Sequence, residues 1–460
     1  MVPPALPLTA APTLRSTLLF WIPLAATWVM MALEGPFLAA IIARLGDPTF
    51  NLAAYGVAYA LAILVEAPVI MLMSASTALV EDGESYRKLR NFTRALNAGS
   101  TALLCLLLVP PVHQGLMESL LRLPSEVVAL TYGALWILLP WPAAIGYRRF
   151  LQGVLIRSGR TRLVALGTVI RLFSMGFTGF FLFRFLELPG AWVGAAALSV
   201  GVVAEAVAAR VMAGPVVRSL RASSSPGTGE TPSLAYRGIA AFYWPLALTS
   251  LIGLTVHPML TFFMGRAPLP LESLAVFPVV HSLSFLFRSL GLSFQEAAIA
   301  LLGRRAEHVA VLGRFALWLG VGSSAALALV AFTPLSRFWF ETLSGLPPEL
   351  AAFALIPTML MVPLPALSVL LSLERAVVVQ GRKTGAITRA TALEVALVAG
   401  GFATLGWGWG LVGVTAAFGA FLVGRVGSTL YLVLPTLRTL GRLRGAPERL
   451  SNGRPGAPPG

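Results

Sequence analysis

Ten ionisable side chains stand inside long apolar runs of this chain: Glu34, Glu66, Arg171, Glu205, His257, His281, Arg288, Glu296, Glu394 and Arg425. A charge at the centre of a membrane-crossing helix costs about 2.5–3.5 kcal/mol on insertion scales, so each should face a bundle interior and have a partner or a purpose. Their types suit binding and ion handling. Arg171, Arg288, His257 and Arg425 can offer positive potential to an anionic substrate. Glu34, Glu66 and Glu394 can take a proton or Na+ for coupling or gating, or hold the arginines when a site is empty. Structural roles compete with these. Glu205, Arg425, Glu296 and Arg171 lie where a side chain can snorkel or cap toward a helix end. Glu66 and Arg288 can form a fixed salt bridge, and the two histidines can be simple helix contacts. Bond-making chemistry has no such support. There is no HExxH, GxSxG, P-loop or CxxC, and His113, His257, His281 and His308 are scattered, so no catalytic residue, metal or cofactor is expected.

The elements that must position these residues follow from composition. Of 460 residues, 57% are hydrophobic and 12% charged, against about 25% charged in soluble domains; mean hydropathy is +0.81. Twelve apolar segments occur, at roughly 14–43, 53–79, 91–112, 126–147, 162–186, 190–212, 236–264, 272–302, 311–334, 349–372, 385–405 and 409–434. In lipid the backbone must satisfy itself within each segment. The fold class is therefore an all-α polytopic membrane protein of twelve transmembrane helices. The net charge of +15 is dispersed over the connections, which argues against a nucleic-acid partner. The lone Cys105 can make no intramolecular disulfide. The first residues, Met1–Arg15, lack a basic n-region with a cleavage site, so the first span is read as retained.

Orientation follows from Lys and Arg. With the N-terminus inside, 26 fall on the cytoplasmic side and 5 opposite (Arg44, Arg122, Arg184, Arg266 and Arg337), with Arg171, Arg288 and Arg425 inside spans. The excess predicts both termini in the cytoplasm of a plasma-membrane protein.

The chain also repeats itself. Phe20–Arg44 returns as Phe242–Arg266 with a shift of 222, eight of 25 positions being identical, among them Pro23/Pro245, Pro36/Pro258 and Arg44/Arg266. Gln152–Arg160 answers Glu374–Arg382 at the same shift. The expected organisation is a six-helix bundle at 1–219, a Gly/Ser/Pro-rich linker at 220–235, a second bundle at 236–437 and a basic tail at 438–460. Halves with an even number of spans share orientation and are related by an axis along the membrane normal. Across the repeat, acids tend to face bases: Glu66 maps onto Arg288, and Arg171 falls beside Glu394, Glu205 beside Arg425 and Glu34 beside His257. These opposed charges are expected to pair across a central cavity. Pro36 and Pro258, at matched places, are expected to act as hinges.

Twelve spans, a six-plus-six parallel repeat and the connections at Gln152–Arg160 and Glu374–Arg382 resemble the MOP superfamily, which holds the MATE multidrug exporters and the flippases of lipid-linked sugars. The run Leu52-Ala53-Ala54-Tyr55-Gly56-Val57-Ala58-Tyr59-Ala60-Leu61, with Pro23-Leu24, Glu34, Pro68, Phe242–Leu248, Pro258 and Arg266, is similar to the progressive ankylosis (ANK) family. That resemblance implies export of anions such as pyrophosphate, nucleotide phosphates and citrate. The expectation is thus an alternating-access secondary transporter for a small organic or phosphate-bearing anion, working as a monomer with H+ or Na+ as possible coupling ion. A cation-coupled multidrug exporter, a lipid-linked oligosaccharide flippase and, more remotely, a membrane enzyme or scaffold are the alternatives. A central cleft walled by Arg288 would favour anion transport; a lateral groove beside helices 1 and 8 with room for acyl chains would favour a flippase.

Overall fold

The fold, taken from a computed structural model, is described for residues 12–222, 235–303, 305–381, 383 and 385–445. Most of the linker, 223–234, and the end of the tail, 446–460, lie outside the described residues. Eleven helices are long and apolar enough to span: α1 (Leu14–Ala43), α2 (Pro48–Leu79), α4 (Ser125–Arg157), α5 (Arg162–Phe185), α6 (Gly190–Ala222), α7 (Tyr236–Met264), α8 (Pro270–Leu301), α9 (Val309–Phe332), α10 (Pro348–Gln380), α11 (Gly385–Gly408) and α12 (Gly413–Arg444). The twelfth, α3, is a pair bent by 74°, Gly83–Leu107 with Pro110–Leu120. Among the described residues there is no strand. The protein is an all-α, multi-pass membrane protein.

The sequence repeat is a structural repeat, and backbone chemistry explains its landmarks. Pro36 cannot donate an amide to the carbonyl four residues back. α1 accordingly breaks at Leu33, between Leu14–Ala32 and Glu34–Ala43. Pro258 does the same to α7, which breaks at Thr255, again 222 residues on. The helices that follow are entered through Asp47 (φ 50°) and Leu269 (φ 52°), each in the left-handed region and each followed by a proline. Asn51 Oδ1 then accepts from the Ala191 amide at 2.8 Å, and Ser273 Oγ accepts from the Val414 amide at 3.1 Å, which ties the start of α6 to α2 and of α12 to α8.

Within the first half α2, α4 and α6 pack together, with α3 on α4 and α5 along α6; within the second, α8, α10 and α12 do so, with α9 on α10 and α11 along α12. The halves meet where α8 crosses α1 and α2, and where α7 crosses α2. The first segments of α1 and α7 therefore lean on the opposite half. Trp21 donates to Ser293 Oγ at 2.9 Å, Trp28 to Glu296 Oε1 at 3.2 Å, and Tyr243 to the Pro68 carbonyl. At the far end, away from most of the basic connections, Arg44 donates to the carbonyls of Thr342 and Leu343 (2.8 Å for the latter).

Two details differ from the sequence reading. Arg148, Arg149 and Arg375, counted among the connections, lie inside α4 and α10, because both helices run on past the apolar stretch to Arg157 and Gln380. The segment from Arg438 begins within α12, which continues to Arg444. Helix α11 continues to Gly408, and the chain reverses at Gly410 (φ 67°).

Small residues allow the closest approaches, as expected where lipid gives no hydrophobic drive between helices. A Cβ on Gly201 would meet the Arg171 carbonyl at 3.1 Å, and one on Gly424 the Glu394 carbonyl at 2.9 Å and Val398 at 2.6 Å. The two glycines are 223 apart, so both halves clamp their last two helices at the same level. Gly424→Leu is expected to push α11 off α12 at a cost of about 1–3 kcal/mol, seen as a lower thermal midpoint in detergent, whereas Gly441→Leu, with open space around it, should leave the midpoint unchanged.

Candidate functional site

The buried charges gather at three places. The first is a chain of ion pairs in the first half. Glu34, in the first turn after the α1 break, pairs with Arg171 of α5. Arg171 Nε lies 3.5 Å from Glu205 Oε2 of α6. Glu205 pairs in turn with Arg148 of α4 and accepts from Gln152 Nε2 at 3.0 Å. Glu205 has no exposed surface and Arg148 is 5% exposed, so snorkelling is excluded for both. A buried carboxylate of this kind is stable only with its lone pairs filled.

The second place is the matching position of the other half. Arg425 Nη2 of α12 lies 2.8 Å from Glu394 Oε1 of α11, and Ser428 Oγ donates to Glu394 Oε2 at 3.0 Å. Base on α5 with acid on α6 becomes acid on α11 with base on α12, so the same helix–helix bridge is built twice with its polarity reversed. This corrects the expectation that opposed charges pair across the cavity. These bridges form within each half, where Gly201 and Gly424 bring the partner helices within reach.

The third place adjoins the second. Arg288 of α8 is 8% exposed, stacks over Phe421 at 4.8 Å, and has no carboxylate within 4.0 Å among the described residues. Its Nε has no hydrogen-bond partner. Phe421 is shared with Arg425, 5.6 Å from the same ring. Nearby, an aromatic layer joins the halves: Tyr59 of α2 packs on Trp141 at 6.1 Å and on His257 of α7 at 6.4 Å, and His257 packs on His281 of α8 at 4.5 Å. Glu66 of α2 is buried with Oε2 unpartnered, and it makes no ion pair with Arg288. The fixed Glu66–Arg288 bridge is therefore not formed. Pro36 and Pro258 adjoin the α1 and α7 breaks, beside Glu34 and His257.

Sequence reasoning missed Arg148, Gln152, Glu374 and Arg375. Glu374 is 4% exposed with Oε2 unpartnered, and Arg375 Nε is also unpartnered. The signal was present, since Gln152 and Glu374 share the repeated connection motif, but the motif was read as loop. Beside α1, α5 and α8 runs an apolar lateral groove of about 580 Å³, lined by Pro36, Phe37, Phe180, Leu286 and Trp339 with Arg44 at its end. Among the described residues no group of three or more metal-ligating side chains converges.

No family model matches this chain, and no curated protein does. Solved structures do. An inward-facing multidrug resistance MATE family transporter of the MOP superfamily superposes with a TM-score of 0.68 at 13% identity, covering 91% of this chain and 94% of that one. The lipid II flippase MurJ in an inward closed conformation gives 0.67 at 13% identity over 92% and 90%. A Vibrio cholerae MATE transporter gives 0.60 at 16% identity over 93% and 98%. The chain has the fold of the MATE and MurJ transporters of the MOP superfamily.

The paired charges make a direct prediction. Glu205→Gln leaves Arg148 buried without its counter-charge and is expected to cost about 3–5 kcal/mol, read as a large fall in thermal midpoint, while Glu66→Gln should change it little. Glu394→Arg and Arg425→Glu should each destabilise, and the two together should recover stability by rebuilding the polarity of the first half. A combined variant no better than either single one would contradict the intra-half pairing.

Proposed function

We propose that this protein is an alternating-access secondary transporter that moves a small organic or phosphate-bearing anion through a central site between its halves. The observation that carries this reading is Arg288: a buried guanidinium at mid-helix, beside the inter-half aromatic layer, with no carboxylate within 4.0 Å among the described residues. An unpaired buried cation is costly, and an anion is the ligand that relieves the cost. His257 and His281 on the same side add donors without adding an acid. Arg171 and Arg425 are already committed to Glu34 and Glu394, so they act as the walls of the site and Arg288 as its centre.

Coupling falls to Glu66 rather than Glu34. Glu34 is held by Arg171, whereas Glu66 keeps a free carboxylate oxygen that can accept a proton or contact Na+. The breaks at Leu33 and Thr255 serve as hinges, because the α1 and α7 segments on either side of them rest on different halves. The Arg44 contacts across the halves close the far face, which the excess of Lys and Arg at the other end makes extracytoplasmic. A cytoplasm-facing state fits with the better superposition on the inward-facing structures (TM-score 0.68) than on an outward-facing MATE transporter (0.60). Localisation in a cytoplasmic membrane with both termini inside follows from the same charge excess.

The likeness to the ANK family rests on the residues quoted for it and gains no support from the comparisons; it favours anions over cationic drugs. The lateral groove supports a second reading, a lipid-linked anion whose acyl chains lie against Phe37, Phe180 and Trp339 while its head reaches inward, and the likeness to a lipid II flippase is in keeping with it.

Proteoliposomes loaded with a panel of organic anions, phosphate esters and cations test the proposal. Arg288→Ala should abolish transport of the anion found, Arg288→Lys should keep part of it with a raised KM, and Glu66→Gln should remove stimulation by a pH or Na+ gradient while exchange persists. If the chain moves only cations, or if Arg288→Ala transports as well as wild type, the proposal fails.

A further inference from the structure

Apart from the proposed central site, a cluster of cations lies at the basic end of the last two helices. A cleft of about 360 Å³ opens between the α10–α11 connection, the first turns of α11 and the last turns of α12. Lys383, Arg389, Arg438 and Arg442 line it, together with Pro435 and Thr439, and among the described residues no acidic side chain does. None of these four cations has an ion-pair partner among the described residues. Among the described residues their side chains make one hydrogen bond, from Arg389 Nε to the Tyr431 hydroxyl at 2.9 Å.

Like charges placed together repel, and a bound anion relieves that repulsion. The fold does not demand the cluster. At the shift of 222 that relates the halves, Thr161, Gly167, Val216 and Leu220 stand in place of Lys383, Arg389, Arg438 and Arg442. The cluster is therefore an addition to one half of the repeat.

Its surroundings say which anion. Leu430, Leu434, Arg438 and Arg442 follow one another at intervals of four and so share one face of α12. Leu430, Leu434 and Leu437 are exposed at 66, 53 and 59%, which on a spanning helix means contact with acyl chains. The cations continue that lipid-facing stripe at the point where it leaves the apolar region. We propose that this cleft is a binding site for an anionic phospholipid of the cytoplasmic leaflet. Its phosphodiester is held by Arg389, Arg438, Arg442 and Lys383, and its chains run along the Leu430–Leu437 face.

Each Lys or Arg near a membrane surface is worth about 1 kcal/mol toward an anionic headgroup, so removing two should weaken binding at least about tenfold. Native mass spectrometry of the full-length, delipidated protein measures this, with phosphatidylglycerol and phosphatidylcholine added separately. Wild type should bind the first phosphatidylglycerol at least about tenfold more tightly than phosphatidylcholine. Arg389→Gln with Arg442→Gln should lose that preference, and Lys383→Gln with Arg438→Gln should do so independently, which guards against one variant failing to fold. Arg218→Gln, in the other half, should keep it. Soluble glycerol phosphate or inorganic phosphate at millimolar concentration should not compete; if either displaces the lipid, the site is a soluble-phosphate site and the lipid assignment is wrong. Unchanged preference in both double variants, or equal loss with Arg218→Gln, would also overturn it.

Discussion

Neutralising charge inside an apolar bundle is the constraint on which the rest of this structure depends. Glu34, Arg171, Glu205 and Arg148 run as an alternating chain from α1 through α5 and α6 to α4, and Glu394 with Arg425 does the same between α11 and α12. Such pairs are weak evidence for net stability, because desolvation offsets much of the Coulomb gain. Their stronger effect is on geometry. An ion pair in low dielectric fixes which helix faces meet, and at what depth, since any slip leaves a bare charge. The small residues at Gly201 and Gly424 make the approach possible, and the pairs make it unique. Each half is thereby a unit that can shift against the other without exposing its own charges.

The interface between the halves is of another kind. It holds aromatic rings, two histidines, the indole donors Trp21 and Trp28, and Arg288, which among the described residues has no carboxylate within 4.0 Å. Contacts of this sort can be remade in a second arrangement at modest cost, which is what a two-state element requires. Rigid, charge-locked halves around a softer seam are the physical basis of the transport reading, and the broken helices α1 and α7 are where the seam and the halves are joined.

Much of this was legible in the sequence. Composition alone required membrane helices, and the repeat of Phe20–Arg44 located the matched breaks, since the chemistry of Pro36 and Pro258 is local. The partners of the buried charges were not legible. Arg171 and Glu394 lie 223 positions apart, as do Gly201 and Gly424, so the repeat pointed correctly to equivalent positions; but equivalence in a parallel repeat says nothing about which equivalents touch. Arg171 meets Glu34 and Glu205, 137 and 34 residues away, because of helix packing that no local pattern encodes. Arg148 and Glu374 were hidden for a simpler reason. Hydropathy falls before the helix ends, and a charge at the edge of an apolar run looks like a connection whether or not the helix continues.

The reversed polarity of the two bridges bears on how such a chain can change. A duplication begins with two copies whose parts are interchangeable. Here they no longer are: α6 set in place of α12 would bring Glu205 against Glu394, and α12 in place of α6 would bring Arg425 against Arg171. Between the ancestral and present arrangements any single substitution at one of these positions passes through a like-charged or unpaired intermediate. The two halves are therefore bound to their own inheritance, each free to vary at its surface but locked, pair by pair, at its centre.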